Sequence, residues 1–269
     1  MSTRPPVVMI HGMWSQPWVW AGFRAAYEAR GYTVHTPTLR HHAVQPGEPP
    51  DPALGTTSLR DYLADLSAFI DTLDQPPVLV GHSMGGLLAQ MLTARGHARA
   101  TVLLCSACPR GVFPIRPVML PGTARIFGTP GFWKKPNRLT TWEARYLLFN
   151  RLPERDTAAH IERLVWESGR AASEILFAAA MPDGPAAIDY GANDIPLLSV
   201  AADADRIVPA GVCAANARRY GQRCDRRVYP DHGHWILGEP GWERVAADTL
   251  DWLADRSLSR NAPAAEVHA

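Results

Sequence analysis

The chain has 269 residues and a mass of 29.5 kDa, a size that suits one large α/β domain or one core that carries an insertion. Hydrophobic residues make up 46% of it and charged residues 20%, and the formal net charge of +1 gives no electrostatic reason to expect binding to nucleic acid or an anionic membrane. Residues 1–6 lead directly into an apolar strand without room for a secretory signal, and no apolar run reaches the length of a membrane span. We therefore expect a cytoplasmic protein.

Short apolar runs alternate with amphipathic stretches along the first seventy residues. Val7–Ile10 predicts a buried strand that feeds a loop at His11-Gly12-Met13. A helix is expected over residues 17–30 and a second strand over residues 33–39. Ser58 is a suitable N-cap for a further helix, because the apolar residues that follow it recur every three or four positions.

Residues 76–90 predict a buried strand, a sharp turn and a helix. At the turn, Gly81-His82-Ser83-Met84-Gly85 fits the Gly-x-Ser-x-Gly pattern of a nucleophile elbow, in which larger residues at the glycine positions would clash with the strand and helix. A serine hydroxyl is a poor nucleophile at neutral pH, so this pattern calls for a histidine base, an orienting acid and backbone donors for an oxyanion. The turn could instead be purely structural or cradle a phosphate, although neither common glycine-rich phosphate motif is present.

The alternation of strands and helices continues after the elbow and then stops. Residues 100–107 predict another apolar strand, and the series is typical of a parallel, doubly wound sheet. Beyond it, a Pro- and Gly-rich stretch precedes three helical segments near residues 141–152, 154–169 and 171–181. We interpret this part as a helical cap inserted into the core.

The predicted division is a core made of residues 1–109 and 195–257 with the cap at residues 110–194. Within the second part of the core, a strand over residues 195–202 is followed by helix, strand and helix. The sheet should have about six strands, and no room remains for an N-terminal β-hairpin. Residues 258–269 have no apolar stripe and predict a disordered tail.

The candidate catalytic groups all fall where predicted strands end. They are the His11-Gly12-Met13 loop, Ser83, Asp205 and His234. In open α/β sheets the loops at the carboxyl ends of the strands hold the site, so we expect these groups to meet at one edge of the sheet.

The cysteines and one histidine pair offer weaker alternatives. Four cysteines are too few for a disulfide scaffold, and Cys105-Ser106-Ala107-Cys108 lacks the second ligand pair of a zinc site, so we interpret them as buried thiols at strand ends. His41-His42 could ligate a metal, but no carboxylate or cysteine lies at ligand spacing. We predict neither a metal nor a cofactor.

Four motifs together resemble the α/β-hydrolase superfamily, in its serine esterase and lipase-like branch with an inserted cap. They are His11-Gly12, Gly81-His82-Ser83-Met84-Gly85-Gly86, Asp205-Arg206-Ile207-Val208-Pro209, and Gly233-His234-Trp235 followed by Glu239-Pro240. The resemblance implies that Ser83 is the nucleophile, His234 the general base and Asp205 the acid that orients it. It also implies that backbone N–H groups of Met13 and Met84 form the oxyanion hole.

Several of these assignments have close rivals in the sequence. Asp203 competes with Asp205, His232 with His234, and Trp14 with Met13. Only Asp205 begins the family's Asp-Arg-Ile-Val-Pro pattern, and only His234 has the family's preceding glycine and following tryptophan. His11 and His82 are interpreted as structural neighbours of the oxyanion loop and the elbow.

The resemblance implies a serine hydrolase that cleaves a small or medium carboxylic ester, a lactone or a thioester through an acyl-enzyme. The expected partner is thus a small ester-like molecule. A lyase, an acyltransferase or a carbon–carbon hydrolase could use the same triad, and a small-molecule receptor could keep it without turnover. A serine at the elbow argues against the epoxide hydrolase and haloalkane dehalogenase branches, which carry a carboxylate there.

Overall fold

The computed structural model describes residues 4–181 and 184–256 of the chain. The described strands are β1 (Val7–Ile10), β2 (Val34–His35), β3 (Val78–His82), β4 (Ala100–Leu104), β5 (Pro136–Asn137), β6 (Glu167–Ser168), β7 (Leu197–Ala202) and β8 (Cys224–Tyr229). The α-helices are α1 (Ala21–Ala29), α2 (Leu59–Ile70), α3 (Met84–Thr93), α4 (Leu120–Gly128), α5 (Thr141–Leu147), α6 (Glu154–Glu162), α7 (Gly169–Leu176), α8 (Ala210–Tyr220) and α9 (Trp242–Asp255). None of these helices is long and apolar enough to cross a membrane.

Six strands form one parallel sheet in the order β2-β1-β3-β4-β7-β8, as predicted. The chain adds β2 on one side of β1 and then β3 on the other side. Because the connections leave β1 and β3 in opposite directions, a crevice opens at the carboxyl ends of these two strands. The sheet order therefore predicts the functional site directly after β1 and β3.

Helices cover both faces of the sheet, which confirms the doubly wound architecture. Successive side chains of a strand point to opposite faces. Val7 and Met9 pack in one apolar cluster with residues of α1 and α9, whereas Val8 and Ile10 pack with residues of α2 and α3. All four side chains are fully buried. Burial on both faces explains why β1 is a continuous apolar run rather than an alternating one.

Helix α2 begins at the N-cap that the sequence predicts. Ser58 Oγ accepts from the Arg60 N–H at 3.1 Å, and Asp61 accepts from the Ser58 N–H at 2.8 Å, so both residues form a capping box. The buried carboxylate of Glu174, in α7, accepts from the Leu59 N–H at 2.8 Å and from Ser58 Oγ at 2.9 Å. A carboxylate is favoured at this positive end of the helix dipole. It also joins α7 to the core.

Two predicted elements near the N-terminus differ in part from the structure. The helix predicted over residues 17–30 starts as a 3-10 turn at Pro17–Trp20 and becomes α-helical only at Ala21. Of the strand predicted over residues 33–39, only the two residues of β2 pair with β1. Pro37 has no N–H to give to a sheet ladder, so the chain leaves the sheet before it.

Residues 110–194, which we call the inserted segment, contain more regular structure than the sequence predicts. The Pro- and Gly-rich stretch includes helix α4, whose proline stands in the first turn, where a missing N–H is tolerated. The three predicted helices are present but shorter, and β5 pairs antiparallel with β6. The predicted disordered tail, residues 258–269, lies outside the described residues.

A buried ion pair joins the inserted segment to the core. Glu167, in β6, lies 3.1 Å from His42 Nε2 and accepts from the Tyr62 hydroxyl at 2.8 Å. Both His42 and Glu167 are fully buried. Burial alone would lower the pKa of His42, but the charge of Glu167 and its hydrogen bond outweigh burial and raise that pKa above its ordinary value. The pair is therefore a charged contact between two distant parts of the chain.

This ion pair makes the stability of the fold depend on pH. The pKa of His42 in the folded protein is raised above 6.5. The contribution of the ion pair to the free energy of unfolding is therefore complete below pH 6.5 and is lost as the pH rises through that folded pKa. Replacing His42 by Gln should lower the free energy of unfolding by about 3 kcal/mol near pH 5.5 and by less near pH 9. Urea unfolding over this pH range measures both losses.

His35→Gln, at a half-buried histidine of β2, is the matched control and should keep the wild-type pH dependence. A His42→Gln loss that is the same at every pH would contradict a charged His42.

Candidate active site

Ser83 occupies a sharp turn between β3 and α3. Its backbone has φ 54° and ψ −122°, a combination that only a closely packed surrounding keeps populated for a residue with a side chain. A Cβ on Gly85 would overlap the carbonyl oxygen of Ile10, and a Cβ on Gly81 would overlap the carbonyl of Gly85. The predicted reason for the glycines around the serine is confirmed: larger residues have no space there.

The loop after β1 packs directly against this turn. A Cβ on Gly12 would lie 2.8 Å from the Cβ of Ser83, so only glycine allows the two backbones to approach this closely. Met13, which follows, lines the same cavity as Ser83 and Met84. Met84 is the first residue of α3, so its N–H has no acceptor within the helix. The N–H of Met13 donates to no backbone carbonyl of the described chain.

Trp14 is the alternative to Met13 as the second oxyanion donor. Apart from its backbone N–H, its polar groups bind the inserted segment. Its carbonyl accepts from the Val165 N–H at 2.9 Å, and its indole donates to Asn137 Oδ1 at 2.9 Å. Its φ of 59° places it in the left-handed region. Two bonds across to the inserted segment thus hold the loop that carries Met13.

Asp205 and His234 meet in a buried hydrogen bond. His234 Nδ1 lies 2.7 Å from Asp205 Oδ2, and both side chains are at most 1% exposed. The other carboxylate oxygen accepts from the N–H groups of Ile207 at 2.7 Å and Val208 at 2.9 Å. Burial alone would raise the pKa of Asp205, but His234 and these two N–H groups lower it below its ordinary value. Asp205 is therefore ionised at neutral pH and faces the imidazole.

The sequence rivals of this pair lie elsewhere. Asp203 is exposed, and its backbone N–H donates to Tyr229. His232 is directed to Glu239, with 3.3 Å between Nδ1 and Oε2. The structure thus brings Asp205 to His234 and leaves both rivals outside the contact.

The elbow reaches the histidine loop through His82. His82 Nε2 donates to the backbone carbonyl of His234 at 2.9 Å, and the two rings are 4.8 Å apart. Burial and the neighbouring His234 lower the pKa of His82 to about 3, so its ring is neutral. Among the described residues, no hydrogen bond joins Ser83 Oγ to His234. Hydrogen bonds of this kind are commonly long in ligand-free sites and tighten when substrate binds.

His11 is likewise a neutral structural residue. Its Nδ1–H donates to the Gly12 carbonyl at 2.9 Å, and its Nε2 accepts from the Leu39 N–H at 3.2 Å. Burial and the neighbouring His42 lower the pKa of His11 to about 3. These two bonds fix the tautomer of His11 and hold the backbone from which Met13 follows.

An apolar cavity opens beside Ser83. Its volume of about 80 Å³ is several times the roughly 10–15 Å³ that one water molecule needs. The core and the inserted segment contribute equally to its wall, and none of the lining side chains is charged: Met13, Trp14, Ser83, Met84, Ala107, Cys108, Pro114, Met119, Thr123, Ile126, Phe127, Leu147, Ala172, Ile175, Leu176, Ile207, Val208 and Val212. A ligand here meets a surface that disfavours charged groups.

One group of residues has the composition of a metal site. Ligand atoms of Cys105, Asp205 and His234 all lie within 4.8 Å of one another. A metal would need the Cys105 thiolate, but burial and the charge of Asp205 raise the pKa of this thiol well above its ordinary value. Asp205 and His234 already satisfy one another, so this donor set fits a hydrogen-bonded pair better than a metal.

The other sequence alternatives have structural explanations. All four cysteines are free; three are buried as expected, but Cys224 is only half buried. His41 pairs with Asp51 at 2.7 Å, and His42 pairs with Glu167. The carboxylates beside these two histidines thus come from other parts of the chain, one for each histidine.

Two residues beside the loops of Asp205 and His234 received no role in the sequence analysis. Glu239 accepts from the Gly233 N–H at 2.7 Å, and Asn150 donates to the Ala204 carbonyl at 2.9 Å. Glu239 carried a signal, because Glu239-Pro240 is part of the pattern that resembles the superfamily. Asn150 lies in the inserted segment without any motif around it, so nothing in the sequence points to it.

The sequence matches a family model over nearly its whole length. The model describes the alpha/beta hydrolase family and matches residues 7–248. The chain belongs to the alpha/beta hydrolase family. No curated protein matches the sequence of this hydrolase.

Solved structures share the fold of this hydrolase at low sequence identity. A methylesterase from Arabidopsis superposes with a TM-score of 0.70 at 14% identity, over 93% of this chain and 99% of the other. A monoacylglycerol lipase from Paleococcus ferrophilus gives 0.68 at 18% identity, over 95% and 97% of the two chains. A pyrethroid hydrolase from Sphingobium faniae gives 0.67 at 19%, over 93% and 97%. Identities this low establish a shared fold and leave the substrate open.

Among the glycines of the elbow, Gly85 leaves the least space for a methyl group. Gly85→Ala should lower the free energy of unfolding by roughly 3 kcal/mol or more, because the Cβ would meet backbone oxygen that cannot rotate away. Gly211→Ala is the matched control, since a Cβ there meets nothing within 4 Å and alanine should stabilise α8 by about 0.5–1 kcal/mol. Urea unfolding compares the two; equal stabilities would contradict the packing described for the elbow.

Proposed function

We propose that this α/β hydrolase is a serine esterase that cleaves a small or medium carboxylic ester through an acyl-enzyme. The observation that carries the proposal is the buried bond between Asp205 and His234 at the same sheet edge as Ser83. A carboxylate kept ionised against an imidazole, beside a serine on a strained turn, matches the needs of a Ser-His-Asp triad. Membership of the hydrolase family supports the same reaction class.

In this mechanism His234 is the base and later the acid. Asp205 accepts the Nδ1–H of His234, which leaves Nε2 unprotonated to take the proton of Ser83. Ser83 Oγ attacks the ester carbonyl, and His234 returns the proton to the departing alcohol. Water then enters and gives a proton to His234 as its oxygen attacks the acyl carbonyl. His234 returns that proton to Ser83 Oγ as the carboxylic acid leaves, which regenerates the serine hydroxyl.

The oxyanion of each tetrahedral intermediate is assigned to the backbone N–H groups of Met13 and Met84. Both residues line the cavity with Ser83, and both N–H groups lack a backbone acceptor in the described part of the chain. One such donor stabilises the transition state by roughly 3–4 kcal/mol. The close approach of Gly12 to Ser83 brings the loop of Met13 to the turn of Ser83.

The cavity wall supports a neutral, apolar group as the part of the substrate held beside Ser83. Burying a carboxylate among uncharged side chains without a partner is strongly unfavourable, whereas each buried methylene contributes about 0.8 kcal/mol. Half of the lining residues come from the inserted segment. We assign this segment the role of a cap whose side chains select the substrate.

Ser83→Ala should abolish hydrolysis of 4-nitrophenyl butyrate and labelling by a fluorophosphonate, because the hydroxyl is the atom that becomes acylated or phosphonylated. Ser67→Ala is the matched control, since the Ser67 hydroxyl is buried in α2 without a hydrogen-bond partner and lies outside the cavity lining. Labelling of the Ser83→Ala protein at the wild-type rate would refute the assignment.

Asp205→Asn should leave the fold intact and lower kcat for the same ester by roughly 10⁴-fold, since an amide at this position favours the wrong tautomer of the histidine. Asp203→Asn, at the exposed rival, should stay within about twofold of the wild type, in line with the usual small effect of surface substitutions. Steady-state kinetics on both variants test the choice. The reverse order of losses would assign the orienting acid to Asp203.

A further inference from the structure

Beside the loop of His234, two buried oxygen atoms lie close to the same point. The point is the position that a Cβ on Gly233 would occupy, 2.5 Å from Asn150 Oδ1 and 2.9 Å from Glu239 Oε1. Neither oxygen has a hydrogen-bond partner among the described residues, although both are buried. Two buried acceptors that lie near one point without a hydrogen-bond partner are costly, so a proton or a bridging molecule is required.

The amide of Asn150 is unable to supply that proton. Its Nδ2 donates to the Ala204 carbonyl at 2.9 Å. If the amide were turned over, its oxygen would face the Ala204 carbonyl and the bond would be replaced by a repulsion. The position of Ala204 therefore assigns the amide oxygen to the side of Glu239.

The second oxygen of Glu239 is also committed. Glu239 Oε2 accepts from the Gly233 N–H at 2.7 Å, so Oε1 is the oxygen that remains without a partner near Asn150 Oδ1. We propose that the Glu239 carboxyl is protonated in the folded protein and that its Oε1–H donates a hydrogen bond to Asn150 Oδ1. A neutral carboxyl satisfies both unpaired oxygens with one proton and needs no other partner.

The charged groups around Glu239 are consistent with a neutral carboxyl. Burial, the largest effect, raises its pKa to about 7, helped by the charge of Asp205, while the Gly233 N–H and the charges of His234 and Arg151 act in the opposite direction. His232 lies 3.3 Å from Oε2, but burial lowers the pKa of this histidine, so it brings no positive charge at neutral pH. Arg151 is directed to Asp231, 3.8 Å away.

The proposed bond makes Glu239 a positioning residue for the catalytic pair, a role that rests on the proposed function. Glu239 holds the backbone of Gly233, next to His234, and Asn150 holds the carbonyl of Ala204, next to Asp205. One proton thus joins the two loops through a residue of the inserted segment. Loss of the proton would place a carboxylate against an amide oxygen and loosen this connection.

The direct test is the titration of the Glu239 side chain by ¹³C NMR on protein labelled at the glutamate carboxyl carbon, with the resonance assigned by its absence in Glu239→Gln. We expect the protonated shift at pH 5.5, where exposed glutamates with a pKa of roughly 4.3 are ionised, and a midpoint near 7. In Asn150→Ala the midpoint should fall, because the acceptor is lost. Titration of Glu239 together with the exposed glutamates would overturn the proposal and assign a bridging water to an ionised carboxylate.

The functional test compares two substitutions. Glu239→Gln carries an oxygen for the Gly233 N–H and an amide donor for Asn150, so it should keep the wild-type kcat at pH 6 and exceed it at pH 9. Glu239→Ala keeps neither bond and should lower kcat by about 10- to 100-fold with little change in KM, as expected for misplaced catalytic groups. A Glu239→Gln variant as impaired as Glu239→Ala at pH 6 would overturn the positioning role.

The Glu239 titration and the esterase assay, both on the wild-type protein, separate the two proposals. A midpoint near 7 with no esterase activity in the wild type would leave the protonated carboxyl in place and refute only the serine esterase. Esterase activity together with an ordinary titration of Glu239 would support the serine esterase and refute only the protonated carboxyl.

Discussion

The close approach of two backbones at the centre of the sheet is the constraint on which the rest of the structure depends. The loop after β1 and the turn after β3 touch where Gly12 meets Ser83 and where Gly85 meets the carbonyl of Ile10. Glycine allows this contact because any Cβ would fill the space between the chains. The contact places the serine, the first turn of α3 and the Met13 loop within one small volume, at the point where the order of the strands reverses.

Buried charges in this molecule connect segments that the core alone would not hold together. Glu167 pairs with His42, and Glu174 caps α2, so two carboxylates of the inserted segment end on residues of the core. A third carboxylate, Glu143, pairs with Arg125 and joins α5 to α4 inside the segment. The bonds of Glu167 and Glu174 are directional and would leave a buried charge unpaired if the segment shifted, so these two carboxylates determine where the segment sits on the core.

Histidines beside the site have different charge states because their neighbours differ. His11 and His82 are buried against other imidazoles and stay neutral, whereas His42 is buried against a carboxylate and has a raised pKa. His234 alone among them faces an ionised aspartate through Nδ1 while its backbone is held by His82. The neighbours of His11, His82 and His42 therefore decide the charge of each of these imidazoles.

The sequence by itself determined the features that depend on neighbouring residues. The glycines around Ser83, the Ser58 cap and the apolar run of β1 are properties of a few consecutive positions, and they led to the sheet and to the groups at its edge. Only the tertiary structure decided which distant polar atoms meet. Glu167 reaches His42 across 125 positions, and Asn150, which has no motif around it, reaches the Ala204 carbonyl across 54 positions. Such contacts follow from how the inserted segment packs, and packing between remote segments leaves no local pattern to read.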